Sequence, residues 1–149
     1  MRVTYSRELA LKDYLDLGGI ESLIPMRYEI VVHGERKSRK LVPAIHNLVF
    51  VRSTREQLDE IKRAKALTLP IHYFMDRKTH RPLTIPKRQM QSFIAVAGNY
   101  DEQIAYLDVS TVALKKGDRV RITDDIFKGV EGEFVKMKGD RRVMVAVRE

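Results

Sequence analysis

The stretch IESLIPMRYEIVV (20–32), HGERKSRK (33–40) and LVPAIHNLVFVR (41–52) decides the fold. Ile20–Val32 and Leu41–Arg52 are rich in β-branched and aromatic residues, so both read as strands. The polar run between them has hairpin length or slightly more, which makes the pair antiparallel. Working outward, Arg2–Tyr5 is short and β-prone, and Ser6 stands where a helix cap would start a helix at Arg7. Glu8 in its first turn suits the helix dipole. Leu11, Tyr14 and Leu15 then fall on one helical face, and Gly18-Gly19 ends the element. Downstream, Thr54-Arg55-Glu56-Gln57 has the capping-box form, with Leu58, Ile61 and Ala64 recurring behind it. Ile71–Met75 and Leu83–Ile85 flank DRKTHRP (76–82), read as a turn. Pro86 at a first helical position leads Met90, Phe93, Ile94 and Ala97, and Gly98-Asn99 stops that helix. The order is β-α-β-β-α-β followed by one more strand and helix. This pattern packs helices against a mostly antiparallel sheet in an α+β fold.

From Lys115 onward the texture changes. Val120 and Ile122 alternate with Arg119, Arg121 and Thr123, and Asp124-Asp125 breaks the run. Gly129 and Gly132 bracket Val130-Glu131, suiting a tight bend or bulge. Phe134–Met137 and Val143–Val147 read as strands joined by Lys138-Gly139-Asp140-Arg141. Four short strands in so few residues lie near the lower size limit for a single core. The expected organisation is a first domain over 1–97, a linker over 98–110 and a small β module over 111–149.

Composition narrows the function. Of 149 residues, 28 are Lys or Arg and 20 are Asp or Glu, a net charge of +8, while 44% are apolar, enough for a core. The first 97 residues carry eighteen basic and ten acidic side chains, whereas 98–110 carries three acids and no base. Attraction to polyanions is therefore concentrated in the first block, which puts nucleic acid first among partner classes; a well-solvated basic surface is the competing reading. The absence of cysteine excludes disulfides, thiolate zinc sites and a cysteine nucleophile. No apolar run approaches the ~18 residues of a membrane span. Arg2, Arg7 and Glu8 interrupt the N-terminus too early for a secretory signal, so a cytoplasmic location is expected. His33, His46, His72 and His80 lack metal-ligand spacing, and no nucleophile elbow, phosphate-cradling loop or carboxylate pair is present. Neither an enzyme nor a cofactor or metal site is expected.

The segment GDRVRITDDIFKGVEGEFVKMKGDRRVMV (117–145) resembles a KOW motif, through Gly117-Asp118, Val120, Ile122, Phe127, Gly129 and Gly132. Placed after a β-α-β-β-α-β block, it resembles the NusG family of transcription elongation factors. RVTYSRE (2–8), IPMRYE (24–29), VPAIHNLVFVR (42–52) and FMDRKTHRPL (74–83) are similar to the UpxY-type antiterminators of that family. The resemblance implies a NusG-type N-terminal domain, termed NGN, followed by a small SH3-like KOW barrel. In the family, the first domain binds the RNA polymerase clamp through an apolar depression on its sheet, and the barrel recruits a termination factor or a ribosomal protein. Specialised members act on selected operons, often for surface polysaccharide, after recognising DNA in the transcription bubble. Two departures stand out. The Trp-aromatic pair that usually precedes RVTYSRE is missing, and the barrel stops short at Glu149; a clipped first strand and an incomplete barrel are the expectation.

On that resemblance Leu48 and Phe50 line the polymerase-binding depression, with Val3 and Tyr73 as weaker members. The bland alternative for Leu48 and Phe50 is plain core. Arg36, Lys37, Arg39 and Lys40, in the loop His33–Lys40, reach toward upstream DNA, or else form a solvated hairpin tip that guards against edge pairing. Three neutralised phosphates would give a salt slope of only roughly −2 to −3, too weak for stable free binding. Arg2, Arg7 and Tyr14 match a surface used near the non-template strand, although Tyr14 shares its helical face with Leu11 and Leu15. A stand-alone RNA-binding or ribosome-associated KOW protein is the second reading. It is weakened because Leu41–Arg52 offers only Phe50 for base stacking.

Overall fold

The computed structural model describes residues 1–100, 104–106, 117–123, 127–137 and 140–145. The chain divides into two compact units, Met1–Leu83 and Thr84–Glu149. The expected linker began at residue 98. Much of it lies outside the described residues, as do Lys115, Asp124-Asp125, Lys138-Gly139 and Val147.

In the first unit, β1 (Arg2–Val3) pairs antiparallel with β6 (Ile71–His72), and β2 (Ser22–Leu23) pairs antiparallel with β5 (Phe50–Val51). A bridge between Arg2 and Leu48 links the two pairs. It is reinforced by the Val3 N–H donating to the Asn47 carbonyl at 3.1 Å. Strand β3 (Met26–His33) and strand β4 (Arg36–Pro43) form the third pair. The expected strands thus bend: Ile20–Val32 becomes β2 and β3 around Ile24-Pro25, and Leu41–Arg52 supplies the end of β4 and then β5.

The loop expected at 33–40 is not a loop. Gly34-Glu35 alone makes the turn, with Gly34 at φ 61°, the left-handed conformation a II′ connection needs at its first central position. Arg36 to Lys40 instead extend β4. Long cationic side chains tolerate a strand when both its faces meet water, and all of them are exposed here.

Helix α1 (Glu8–Leu17) packs on β2 and buries Leu11 and Leu15 completely, as the spacing predicted. Its cap differs from expectation. Arg7 occupies the cap position without a side-chain bond, and Ser6 sits at φ 52°, left-handed and outside any capping geometry. Helix α2 (Arg55–Ala64) starts as read, with Thr54 Oγ1 accepting the Gln57 N–H at 3.3 Å. Ile61 is buried, whereas Ala64 is exposed. Val3, Leu11, Leu15, Ile24, Val49 and Ile71 belong to the core of this unit.

The second unit holds α3 (Lys87–Ala97), which Pro86 precedes as the cap rather than as a first helical residue. A three-stranded antiparallel sheet follows, ordered β7 (Arg119–Arg121), β8 (Glu131–Met137) and β9 (Asp140–Met144). The extra strand expected over Leu83–Ile85 does not form; just before it Met75 and Pro82 make an isolated bridge, and the Leu83 N–H donates to the Phe74 carbonyl at 2.8 Å. Glu131 ties α3 to the sheet by accepting from Arg88 at 2.6 Å and from Arg121. These two guanidinium groups, Arg121 first, hold its carboxyl below the usual range. Gly117 and Val120 are half-buried, Asp118 is exposed, and Phe127 opens a turn that Gly129 completes at φ 88°. Four tail strands were expected; three are present among the described residues, and those residues do not close a barrel.

Candidate functional site

Alternation along residues 48–50 sorts the sheet faces. Val49 is fully buried, so Leu48 and Phe50 point to the opposite side, where both are half-buried rather than sealed. Cross-strand partners share a face. Leu23 opposite Phe50 and Arg2 opposite Leu48 therefore join them, and His72 opposite Arg2 extends the row. Phe74, two residues beyond His72, is 43% exposed. The result is an apolar strip of Leu23, Leu48 and Phe50 with a cation, Arg2, at its margin.

Val3 and Tyr73 do not belong to that strip. Val3 is fully buried on the core side, because it follows Arg2 and so faces the other way. Tyr73 follows His72 and likewise turns toward α2. There its hydroxyl donates to Asp59 Oδ1 at 2.7 Å, while Lys62 Nζ and the Arg55 guanidinium lie 4.1 and 5.0 Å from the ring centre. Burial, then the Asp59 hydrogen bond, pushes the Tyr73 phenol up to about 12. The same hydrogen bond, foremost, holds the Asp59 carboxyl down. Tyr73, just past β6, is a clasp to α2 on the side away from the strip.

The residues assigned to nucleic acid separate into groups. Arg7 donates to the Thr68 carbonyl, an attachment that fixes its side chain to the first unit. Tyr14 is half-buried, with Lys65 Nζ 4.2 Å from its ring centre, so one ring face is already covered. On the β3–β4 hairpin the register divides the cations. Lys37 and Arg39 stand opposite Val32 and Ile30 on one face, while Arg36 and Lys40 stand opposite His33 and Glu29 on the other.

One cationic element escaped the sequence reading, which saw only a turn. The Asp76 carboxylate accepts from the Lys78 N–H at 2.6 Å, the Thr79 N–H at 3.3 Å and the Thr79 hydroxyl at 2.8 Å. The Asp76 N–H donates to the Arg81 carbonyl at 2.9 Å. These bonds, the Lys78 N–H foremost, hold the Asp76 carboxyl below its ordinary value. The only acid of the loop is therefore committed to its backbone, and Arg77, Lys78, His80 and Arg81 stay exposed. The composition DRKTHR carried the signal: an Asp two residues before a Lys N–H builds an Asx turn and thereby frees the neighbouring cations.

Among the described residues no cluster of His, Asp and Glu could hold a metal, and no helix is long and apolar enough to cross a membrane. What the residues build is a set of small antiparallel strand pairs that carry a half-open apolar strip, a cationic hairpin and a cationic turn. The NusG family model, described as transcription termination factor nusG, matches residues 1–94, and the chain belongs to that family. Comparison with curated proteins found no match. NusG-family proteins are transcription elongation and termination factors without enzymatic activity, and they generally bind RNA polymerase.

Proposed function

We propose that this protein is an antiterminator that docks on the RNA polymerase clamp through the strip containing Leu48 and Phe50 and promotes processive transcription of selected operons, surface polysaccharide operons among them. The observation that carries the reading is the alternation at 48–50, which leaves two large apolar side chains half-open while Val49 between them is sealed. A few such side chains in one patch anchor another protein's helices efficiently. Arg2, beside Leu48, and the cations Arg36, Lys40, Arg77, Lys78 and Arg81 then contact non-template or upstream DNA. Each is weak alone and is made effective by tethering on the polymerase. The tail sheet, read as a KOW module, recruits a termination factor or ribosomal protein. The setting is the cytoplasm.

The test is association of the full chain with purified RNA polymerase at low and high salt. Apolar docking persists at high salt, whereas purely cationic attraction fades. Phe50→Asp is expected to abolish the high-salt association. Unchanged association of that variant, with the fold intact by circular dichroism, places the site elsewhere.

A further inference from the structure

The β3–β4 hairpin has a face that neither polymerase docking nor DNA contact explains. Its register places Met26 with Pro43, Tyr28 with Leu41, Ile30 with Arg39 and Val32 with Lys37 on one side. Near the base this side is covered, since Met26 is buried and Leu41 half-buried. Toward the tip it opens: Tyr28 is 47% exposed, Ile30 66% and Val32 58%. Single exposed apolar residues are ordinary, but three large ones in a row on one strand face are not. The opposite face, with Arg27, Glu29, His33, Arg36 and Lys40, is uniformly polar apart from Val31 and Val42. The hairpin is two-sided by design of its sequence, apolar on one face of β3 and cationic beside it on β4.

We propose that this face binds an amphipathic helix of a protein partner whose apolar stripe is flanked by Asp or Glu. Three features select that occupant. The apolar row Tyr28, Ile30 and Val32 steps by roughly 6.7 Å and so spans roughly 13 Å, which a helix crosses in about two and a half turns, so the apolar stripe of one short helix covers the whole row. Lys37 and Arg39, the latter also seated over the Tyr28 ring, run parallel to that row and are complemented by acids along the same flank of the partner. A second copy of this chain would set Lys37 and Arg39 against their own kind, which disfavours self-pairing. Nucleic acid fits poorly as well. Ile30 and Val32 offer no π-face for a base, and the Tyr28 ring already carries the Arg39 guanidinium 4.5 Å from its centre. The assignment does not depend on the polymerase strip, because it uses none of the same residues.

The probe is a synthetic fourteen-residue helix with Leu at positions i, i+4, i+7 and i+11 and Glu along one flank, titrated into the isotope-labelled full chain and read by amide chemical shifts. Saturable shifts confined to residues 26–43 are expected, with affinity falling roughly tenfold or more for Ile30→Ser/Val32→Ser and for Lys37→Glu/Arg39→Glu. The Lys-flanked version of the peptide is expected to bind at least as weakly as those variants. Three results overturn the proposal. One is equal binding of the two peptides; another is the same shifts produced by a short DNA duplex and not by the Glu peptide. The third is a concentration-dependent dimer, seen by sedimentation, that Ile30→Ser/Val32→Ser dissolves. Loss of polymerase association in Phe50→Asp with peptide binding intact, or the reverse, separates this assignment from the docking strip.

Discussion

Asn47 is the residue on which the first unit turns. It sits at φ 62°, left-handed, close in space to Tyr5 at 63° and Ser6 at 52°. Asn47 Oδ1 accepts the Ser6 N–H at 3.3 Å, and the Asn47 N–H donates to the buried carboxylate of Glu8. A carboxyl side chain in the core is tolerated because it satisfies a backbone donor that a bent strand leaves over. Glu8→Ala is expected to cost about 2 kcal/mol in urea denaturation, since it orphans that N–H and opens space. Ser6→Gly goes the other way. Left-handed strain at a non-glycine residue costs about 1–2 kcal/mol, and the entropy cost of glycine is about 0.5–1 kcal/mol. The expected outcome is stabilisation by about 0.5 kcal/mol. A loss of about 1 kcal/mol instead would mean that Ser6 caps α1 after all. In the tail, a Cβ on Gly132 would fall against the Met144 carbonyl and 2.8 Å from Val143 Cγ1. Gly132→Ala is therefore expected to weaken amide-exchange protection across β8 and β9.

At the scale of elements, α2 is held at both its cap and its flank. Thr54→Ala removes the one side-chain acceptor at its start and is expected to cost about 1 kcal/mol. Along its flank, the Tyr73–Asp59 clasp has a pH signature. The phenol is raised to about 12 from 10.0, so the folded state keeps the proton where the unfolded chain releases it. Its contribution is complete below about pH 10 and is lost as pH rises through 12. Ultraviolet titration should show Tyr73 ionising late together with Tyr106, whose phenol burial also raises, and Tyr73→Phe should reduce the late amplitude by one tyrosine while letting the Asp59 carboxyl rise toward its ordinary value. An undiminished late amplitude in Tyr73→Phe would assign the shift to another ring.

Elements with strong local signals were legible in the sequence. The Leu11–Leu15 spacing gave α1, Thr54 gave the start of α2, and the β-rich runs around 33–40 gave the hairpin. The extent of β4 was not legible, because Arg36 to Lys40 look like loop composition, and only the two-residue turn at Gly34 shows that they are strand. The candidate strip was half legible. Period-two alternation correctly paired Leu48 with Phe50, but it could not say that Val3 and Tyr73 face the helices. That depends on the pairing of β1 with β6 and on the bridge from Arg2 to Leu48, both contacts between residues far apart in the chain.

Across the whole molecule the charge is uneven, with sixteen basic and ten acidic side chains in residues 1–83 and twelve against ten in the remainder. Charge alone does not distinguish a solvated surface from a polyanion site, but the slope of affinity against salt does. Three cations of the Asp76 turn, Arg77, Lys78 and Arg81, are held on a backbone already hydrogen-bonded to its own acid, so among the described residues no ion pair competes with phosphate for them. If they contact a duplex, Arg77→Ala/Lys78→Ala/Arg81→Ala should reduce the dependence of log K on log salt by about 2–3, from roughly 0.9 per neutralised phosphate. The measurement is fluorescence anisotropy of the full chain on labelled duplex DNA at several salt concentrations. High-salt association with polymerase should be untouched, because in the proposed docking Leu48 and Phe50 supply that part by apolar burial. An unchanged slope would make the turn a solubilising feature and leave Arg2, Arg36 and Lys40 as the DNA contacts. A lost high-salt polymerase association would instead place the turn in the protein interface.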